Sequence, residues 1–117
     1  MSFFLRLLGL GNTPFDAVNI QQYKEDYFGQ KNHVLIDVRT VGEFKQGHLK
    51  GAKNIPLDRI ENKLDKIPRD KTVVVMCRSG NRSRMACSKL AQAGYDNITN
   101  FKGGIIAWQI AGYDVRR

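Results

Sequence analysis

The sequence predicts an α/β domain with a central, mostly parallel β-sheet and helices on both of its faces. Two short apolar segments, residues 34–38 and 73–76, have the hydrophobic character of strands that are buried on both sides. Segments with the spacing of amphipathic helices alternate with them, which is typical of parallel sheets. A chain of 117 residues, 42% of them hydrophobic, can bury one such core and is too short for two. We therefore expect one globular domain.

The first fourteen residues differ in character from the rest of the chain. They contain an apolar stretch at 3–10 and end in the turn-forming sequence Gly-Leu-Gly-Asn-Thr-Pro. The stretch is shorter than the roughly 20 apolar residues that cross a bilayer, and no basic region precedes it as in a secretory signal. We expect an N-terminal appendage at 1–14, a domain at 15–117, no transmembrane segment and a cytoplasmic location. The appendage could pack as an ordinary terminus or dock on a partner or a membrane surface.

The first half of the domain begins with a helix. Asn19 is a suitable N-cap for this helix, which is predicted to extend through Phe28 and to end at Gly29. The elements that follow are a strand at 34–38, a short helix at 41–46 and an extended segment at 52–55 that Pro56 closes.

The second half continues the alternation. Leu57, Ile60 and Leu64 mark a helix, and a turn at 68–71 leads to the strand at 73–76, which ends at Cys77. The later elements are a helix whose apolar stripe contains Ser83, Ala86, Cys87 and Leu90 and which stops at Gly94, a strand at 98–101 and a helix at 105–111. Ligands of such sheets bind beyond the carboxyl ends of the strands, where Cys77 is expected to lie.

The net charge limits the classes of partner. Nineteen Lys and Arg against eleven Asp and Glu give +8, which favours anionic partners. The arginines are densest at 78–84, but they lack the interleaved aromatic residues of a nucleic-acid platform. We therefore expect a small oxyanion rather than nucleic acid.

A loop suited to binding an anion follows the second apolar strand, with the sequence Cys77-Arg78-Ser79-Gly80-Asn81-Arg82. If this loop curls, its backbone N–H groups converge on one point, and Gly80 permits the backbone conformation that curling requires. The positive end of the following helix adds to the same field, so a thiolate at Cys77 is favoured. Such surroundings lower a cysteine pKa from about 8.5, and Cys77 is predicted to be nucleophilic at neutral pH.

Three separated motifs resemble the rhodanese family. The loop has that family's four residues between cysteine and arginine, here Cys77 and Arg82. Residues 37–56 and 103–113 resemble its first and closing signatures, so the similarity covers about residues 18–115. The resemblance implies a ping-pong reaction in which Cys77 takes sulfur from a donor such as thiosulfate and passes it to cyanide or a thiol. It further implies that Arg78 meets the donor's sulfonate and that Arg82 braces the loop or adds positive potential. No cofactor and no metal are expected.

Other functions are compatible with parts of this pattern. Cysteine-dependent phosphatases of the same fold, and arsenate reductases by extension, need a wider loop with five residues before the arginine, whereas position 83 is Ser. A persulfide carrier or docking module that acts with a partner protein would use the same loop chemistry. A catalytically silent interaction domain is disfavoured because Cys77 and its loop are complete.

Several further residues have two interpretations. Asp37 and Arg39, at the end of the first apolar strand, could support the pocket or form a structural ion pair. Cys87 lies on the apolar stripe of its helix, so we expect a buried filler rather than a resolving cysteine. His48 shares no metal-ligand spacing with another His or Cys, and we expect a structural role for it.

Overall fold

The computed structural model describes residues 14–117 and shows a five-stranded sheet in which every strand pair is parallel. The strand order is β1-β5-β4-β2-β3. The strands are β1 (Asp16–Val18), β2 (His33–Asp37), β3 (Ala52–Asn54), β4 (Thr72–Met76) and β5 (Ile98–Phe101). The helices are α1 (Ile20–Asp26), α2 (Val41–Gln46), α3 (Asn81–Gln92), α4 (Gly104–Ile110) and two 3₁₀ helices, Leu57–Asn62 and Leu64–Lys66. The predicted α/β fold class is confirmed.

Helices cover both faces of the sheet because alternate residues of each strand point to opposite sides. On one face, Val73 and Val75 of β4 pack with the stripe of α3 and with Ile60 of the first 3₁₀ helix. On the other face, Val74 and Met76 pack with α1 and α4, whose buried residues include Tyr23, Ile105 and Trp108. All four β4 residues 73–76 are fully buried, so this strand lies at the centre of the fold.

Two capping boxes set the starts of the short helices. Asn19 accepts a hydrogen bond from the Gln22 N–H and the Gln22 side chain accepts one from the Asn19 N–H, which confirms the predicted start of α1. Thr40 and Glu43 form the same reciprocal pair at α2. Helix α1 ends at Asp26, before the predicted end at Phe28.

Two local predictions were wrong. The segment after Pro56 forms two 3₁₀ helices rather than one α-helix, since its hydrogen bonds span three residues, as from Arg59 N–H to the Pro56 carbonyl and from Lys63 N–H to the Ile60 carbonyl. Strand β1 was not predicted, because three residues with a single strand neighbour, β5, carry little hydrophobic pattern.

The predicted division into an N-terminal appendage and a domain at 15–117 stays a prediction. Residues 1–13, most of the predicted appendage at 1–14, lie outside the described residues. Within residues 14–117, none of the helices is long and apolar enough to span a bilayer.

The topology brings the loop after β4 to the carboxyl edge of the sheet, next to the ends of β2 and β5. The Val38 N–H donates to the Met76 carbonyl at 2.9 Å, which extends the β2–β4 pairing up to the residue before Cys77. On the other side, β5 leads through Gly103 into α4. The loop is therefore enclosed by the start of α3, the start of α4 and the segment that follows β2.

Candidate active site at the Cys77 loop

Cys77 occupies the position at which β4 ends, and only 1% of its surface is exposed. Its Sγ accepts a hydrogen bond from the Gly80 N–H at 3.1 Å and lies 3.5 Å from the Ser83 Oγ. Gly80 is the N-cap of α3 and has no side chain to cap the helix. The Cys77 sulfur acts as the cap instead. It accepts the Gly80 N–H, and the backbone N–H of Ser83, the third residue of α3, contributes a further hydrogen bond that lowers the pKa of the thiol.

The surroundings of the thiol favour its ionised form. Burial raises the pKa of Cys77, but a hydrogen bond between the thiol and the Ser83 hydroxyl, which in turn bonds the Gly80 carbonyl, and backbone hydrogen bonds of Ser83, Gly80 and Ser79 more than offset it, so the net pKa is lowered. The backbone of the loop therefore contacts the sulfur directly at the Gly80 N–H. The positive end of α3 favours a thiolate over a neutral thiol in this position.

Replacing Ser83 with alanine is expected to raise the pKa of Cys77, because the side-chain hydrogen bond that opposes the effect of burial is lost. The measurement is the pH titration of thiolate ultraviolet absorbance in a Cys87→Ser background. Ser79→Ala is the matched control, since Ser79 acts on the sulfur through its backbone N–H. Equal midpoints for Ser83→Ala and Ser79→Ala would show that the Ser83 hydroxyl does not stabilise the thiolate.

Two glycines allow the loop to pack closely on its neighbours. Gly80 has φ 111°, and a Cβ there would overlap the Lys102 carbonyl oxygen. Gly104 has φ 61°, and a Cβ there would overlap the carbonyl oxygens of Cys77 and Arg78.

The first turn of α4 holds the loop backbone in place. The Ile105 N–H donates to the Cys77 carbonyl at 3.0 Å, and the Ile106 N–H donates to the Arg78 carbonyl at 3.1 Å. These bonds use N–H groups at a helix start that have no partner within the helix. The closing motif at 103–113 therefore positions the Cys77 loop through backbone hydrogen bonds from the start of α4.

Arg82 ties the end of the loop to α2. Its Nη1 and Nη2 donate to the two carboxylate oxygens of Glu43 at 2.7 and 2.9 Å. Glu43 is itself oriented by Thr40, whose backbone N–H and hydroxyl both donate to Oε1. This fork geometry is the strong form of an ion pair. The prediction that Arg82 braces the loop agrees with this contact.

The Glu43 carboxylate is also a source of pH-dependent stability. Its pKa is lowered from 4.5 to about 2, chiefly by the hydrogen bonds from Arg82. A depressed carboxyl pKa stabilises the fold above the unfolded value and loses that contribution as the pH falls towards the folded value. Because about a third of each side chain is exposed, at 34% and 30%, solvent screening keeps the contribution of the pair small.

We expect Glu43→Gln to lower the free energy of unfolding at pH 7 by about 1 kcal/mol or less. Urea denaturation of both proteins at pH 7 and near pH 2.5 measures the difference. It should shrink towards zero at the acidic pH, where wild-type Glu43 also approaches protonation. A difference of equal size at both pH values would assign the effect of the substitution to packing.

Asp37 and Arg39 form a buried pair with each other and with α2. The Arg39 Nη2 donates to Asp37 Oδ2 at 2.7 Å and to the Gly47 carbonyl at 2.8 Å, and Nη1 donates to the Glu43 carbonyl at 3.3 Å. These bonds hold the middle and the C-terminal end of α2 against the end of β2. The contacts favour the interpretation of Asp37 and Arg39 as a structural ion pair. Their link to the Cys77 loop is indirect, because Arg39 binds the Glu43 carbonyl and the Glu43 carboxylate binds Arg82.

The remaining loop residues are on the surface. Arg78, Ser79 and Asn81 are exposed, and within the described chain the Arg78 guanidinium has no carboxylate partner. Ser83, Glu43 and Gly104 were missed as site residues. A capping box Thr40-x-x-Glu43 is visible in the sequence, but its link to Arg82, 39 residues away, is not.

Cys87 and His48 have structural surroundings. Cys87 is fully buried, and its pKa is raised to about 12, first by burial and then by the nearby Cys77 thiolate. His48 stacks on Phe44 with ring centroids 3.8 Å apart, and its Nδ1 lies 2.9 Å from the Phe44 carbonyl oxygen. Across residues 14–117, no three His, Cys, Asp or Glu side chains are grouped as metal ligands.

The sequence is similar to a known domain family and to proteins that are named sulfurtransferases. Residues 19–111 match the family model of the rhodanese-like domain. A sulfurtransferase from Allochromatium vinosum is 43% identical over 82 residues, covering 70% of this chain and 77% of that protein. A Schizosaccharomyces pombe protein named "Putative thiosulfate sulfurtransferase, mitochondrial" is 38% identical over 120 residues, covering 92% of this chain and 84% of that protein.

A solved structure shows the same architecture. The crystal structure of a rhodanese-related protein from Thermoplasma volcanium matches with a TM-score of 0.78 and 33% sequence identity, covering 87% of this chain and 98% of that one. The match therefore extends over almost the whole described domain.

Proposed function

The chain belongs to the rhodanese-like domain family, and we propose that it is a sulfurtransferase that carries sulfane sulfur as a persulfide on Cys77. The observation that carries the proposal is the position of Cys77 Sγ at the start of α3, where it accepts the Gly80 N–H at 3.1 Å. Backbone hydrogen bonds of Ser83 and Ser79 add to this one in lowering the pKa of the thiol. The proposal also agrees with relatives that are named sulfurtransferases.

The proposed reaction has two displacements at sulfur. In the first, the Cys77 thiolate attacks the outer sulfur of thiosulfate, the S–S bond of thiosulfate breaks, and sulfite leaves with the bonding electron pair. In the second, cyanide or a thiolate attacks the outer sulfur of the persulfide, and the Cys77 thiolate leaves. No proton and no external redox reagent is needed with cyanide as acceptor. The same N–H groups stabilise the negative sulfur before and after each step.

The loop size favours sulfur over phosphate as the transferred group. The Gly80 N–H of the loop donates to a single sulfur atom. The arginine that ends the loop, Arg82, donates both of its terminal nitrogens to the Glu43 carboxylate. A phosphatase would need donors spaced to surround a phosphoryl group and an arginine free to bind it.

A cytoplasmic location and the choice of thiosulfate over other donors are parts of this proposal. The thiosulfate assignment is supported by the name of the S. pombe relative.

Arg78 is proposed to recognise the sulfonate end of the donor, since it follows the nucleophile, is exposed and has no carboxylate partner within residues 14–117. Arg78→Ala is expected to raise the KM for thiosulfate about tenfold in a thiocyanate-formation assay, with a smaller change in kcat.

Arg84→Ala is the matched control, because Arg84 is another exposed arginine, located on α3. It is expected to leave the KM for thiosulfate near the wild-type value. If Arg78→Ala and Arg84→Ala had the same KM as wild type, Arg78 would not recognise the donor. A wild-type KM far above the millimolar range would favour a persulfide carrier that is loaded by a partner protein.

A further inference from the structure

A basic cavity lies at the carboxyl end of β3, beside the start of α2, and nothing in the proposed sulfur transfer uses it. Its volume is about 500 Å³, within the range of about 300–1,000 Å³ that is usual for small-molecule sites. The residues that line it are Thr40, Val41, Lys53, Asn54, Ile55, Pro56, Asp58, Arg59, Lys63 and Lys66. We call this feature the basic cavity.

The basic cavity has an excess of positive charge that the protein does not neutralise. Four cations, Lys53, Arg59, Lys63 and Lys66, face one carboxylate, Asp58, which leaves an excess of three positive charges. The ion pairs within residues 14–117 join Arg39, Arg82 and Lys89 to carboxylates, and none of them involves a cation of this cavity. Four like charges around one concavity repel each other, so an anion that enters it relieves that repulsion.

Some of the polar side chains that line the basic cavity are already hydrogen-bonded within the protein, which limits the groups that a ligand can contact. The Asn54 amide is already used, since its Nδ2 donates to the carbonyls of Asp37 and Arg39 at 3.0 Å. The Thr40 hydroxyl is occupied by Glu43. Besides Asp58, the remaining polar side chains are the four cations, of which Lys53 donates to the Lys66 carbonyl at 3.3 Å. Val41, which is 51% exposed, and Pro56 offer apolar surface.

These observations define the chemistry of an occupant. We propose that the basic cavity binds a small phosphorylated organic molecule, with a diphosphate group on the cations and an apolar or planar part against Val41 and Pro56. A diphosphate matches the charge excess better than a single carboxylate does, and the Arg59 guanidinium provides the planar fork that suits phosphate oxygens. This site does not depend on the proposed sulfur transfer, because none of its lining residues belongs to the Cys77 loop.

The test is isothermal titration of the full chain with ADP as the probe, and with inorganic pyrophosphate for comparison. ADP is expected to bind saturably and more tightly than pyrophosphate, with an affinity that falls as salt is raised. The double variant Arg59→Gln/Lys63→Gln should bind ADP about tenfold more weakly or worse. Thermal unfolding checks that each variant is folded.

The control double variant is Lys31→Gln/Lys71→Gln, which removes the same charge from exposed positions before β2 and β4, at the opposite edge of the sheet. It should bind ADP as wild type does, and so should Arg78→Ala. Three results would overturn the proposal: no saturable binding, equal weakening in both double variants, or binding that is lost in Arg78→Ala and kept in Arg59→Gln/Lys63→Gln. The last result would place the anion at the Cys77 loop.

Discussion

Cys77→Ser is expected to abolish thiocyanate formation from thiosulfate and cyanide, with a loss of at least about 1,000-fold in kcat/KM. The reason is chemical, because a serine hydroxyl in the same position is neither ionised at neutral pH nor able to hold a transferable sulfur. The fold should change little, since serine differs from cysteine by one atom and the Gly80 N–H retains an acceptor. Initial rates at several thiosulfate concentrations measure the effect.

Cys87→Ser separates the role of Cys77 from a general requirement for thiols. Cys87 lies in the same core cluster as Cys77, but its pKa of about 12 keeps it protonated at neutral pH. We expect this variant to keep its activity within a few-fold of wild type and to lose some stability, because a polar hydroxyl replaces a fully buried thiol. Comparable losses of activity in both variants would mean that the two cysteines act together.

Gly80→Ala is expected to lower kcat/KM by about 100-fold, a loss comparable with removal of one positioned oxyanion-hole donor in other enzymes. A Cβ at this position, with φ 111°, would overlap the Lys102 carbonyl oxygen. The loop would therefore have to shift, and its N–H would leave the sulfur that it binds at 3.1 Å. Steady-state kinetics and urea denaturation of the same preparation measure activity and stability together.

Gly112→Ala is the control that separates the steric clash of a Cβ at Gly80 from the loss of stability caused by a left-handed backbone conformation at any non-glycine residue. Gly112 has φ 85°, but a Cβ there would have no atom within 4 Å. Alanine in that conformation costs about 1 kcal/mol, so Gly112→Ala should lose stability and keep full activity. If Gly80→Ala behaved in the same way, close packing of the loop on Lys102 would not be needed for function.

The central strands and the loop were predictable because each has a local sequence signal. Val73, Val74 and Val75 form an apolar run that only a strand buried on both faces accommodates, and β4 is such a strand. Asn19 was identified as a cap because asparagine is preferred at that position, and in the structure its side chain accepts the Gln22 N–H. The cradle around Cys77 followed from Gly80 and from the helix start at Asn81.

The supports of the loop could not be predicted because they join residues that are distant in sequence. Glu43 meets Arg82 only when α2 and α3 are brought together at the edge of the sheet. Gly104 lies in the closing motif at 103–113, but the sequence does not reveal that its lack of a side chain allows α4 to approach the carbonyls of Cys77 and Arg78. Strand β1 is defined by its pairing with β5 rather than by its own three residues.

Sulfur transfer through Cys77 is tested most directly by intact-mass spectrometry of wild type and Cys77→Ser after incubation with thiosulfate, and again after addition of cyanide. We expect that wild type gains the mass of one sulfur atom, that cyanide removes it with release of an equivalent of thiocyanate, and that Cys77→Ser gains nothing. A wild-type protein that gains no sulfur, or a Cys77→Ser variant that gains as much as wild type, would contradict sulfur transfer from thiosulfate through Cys77.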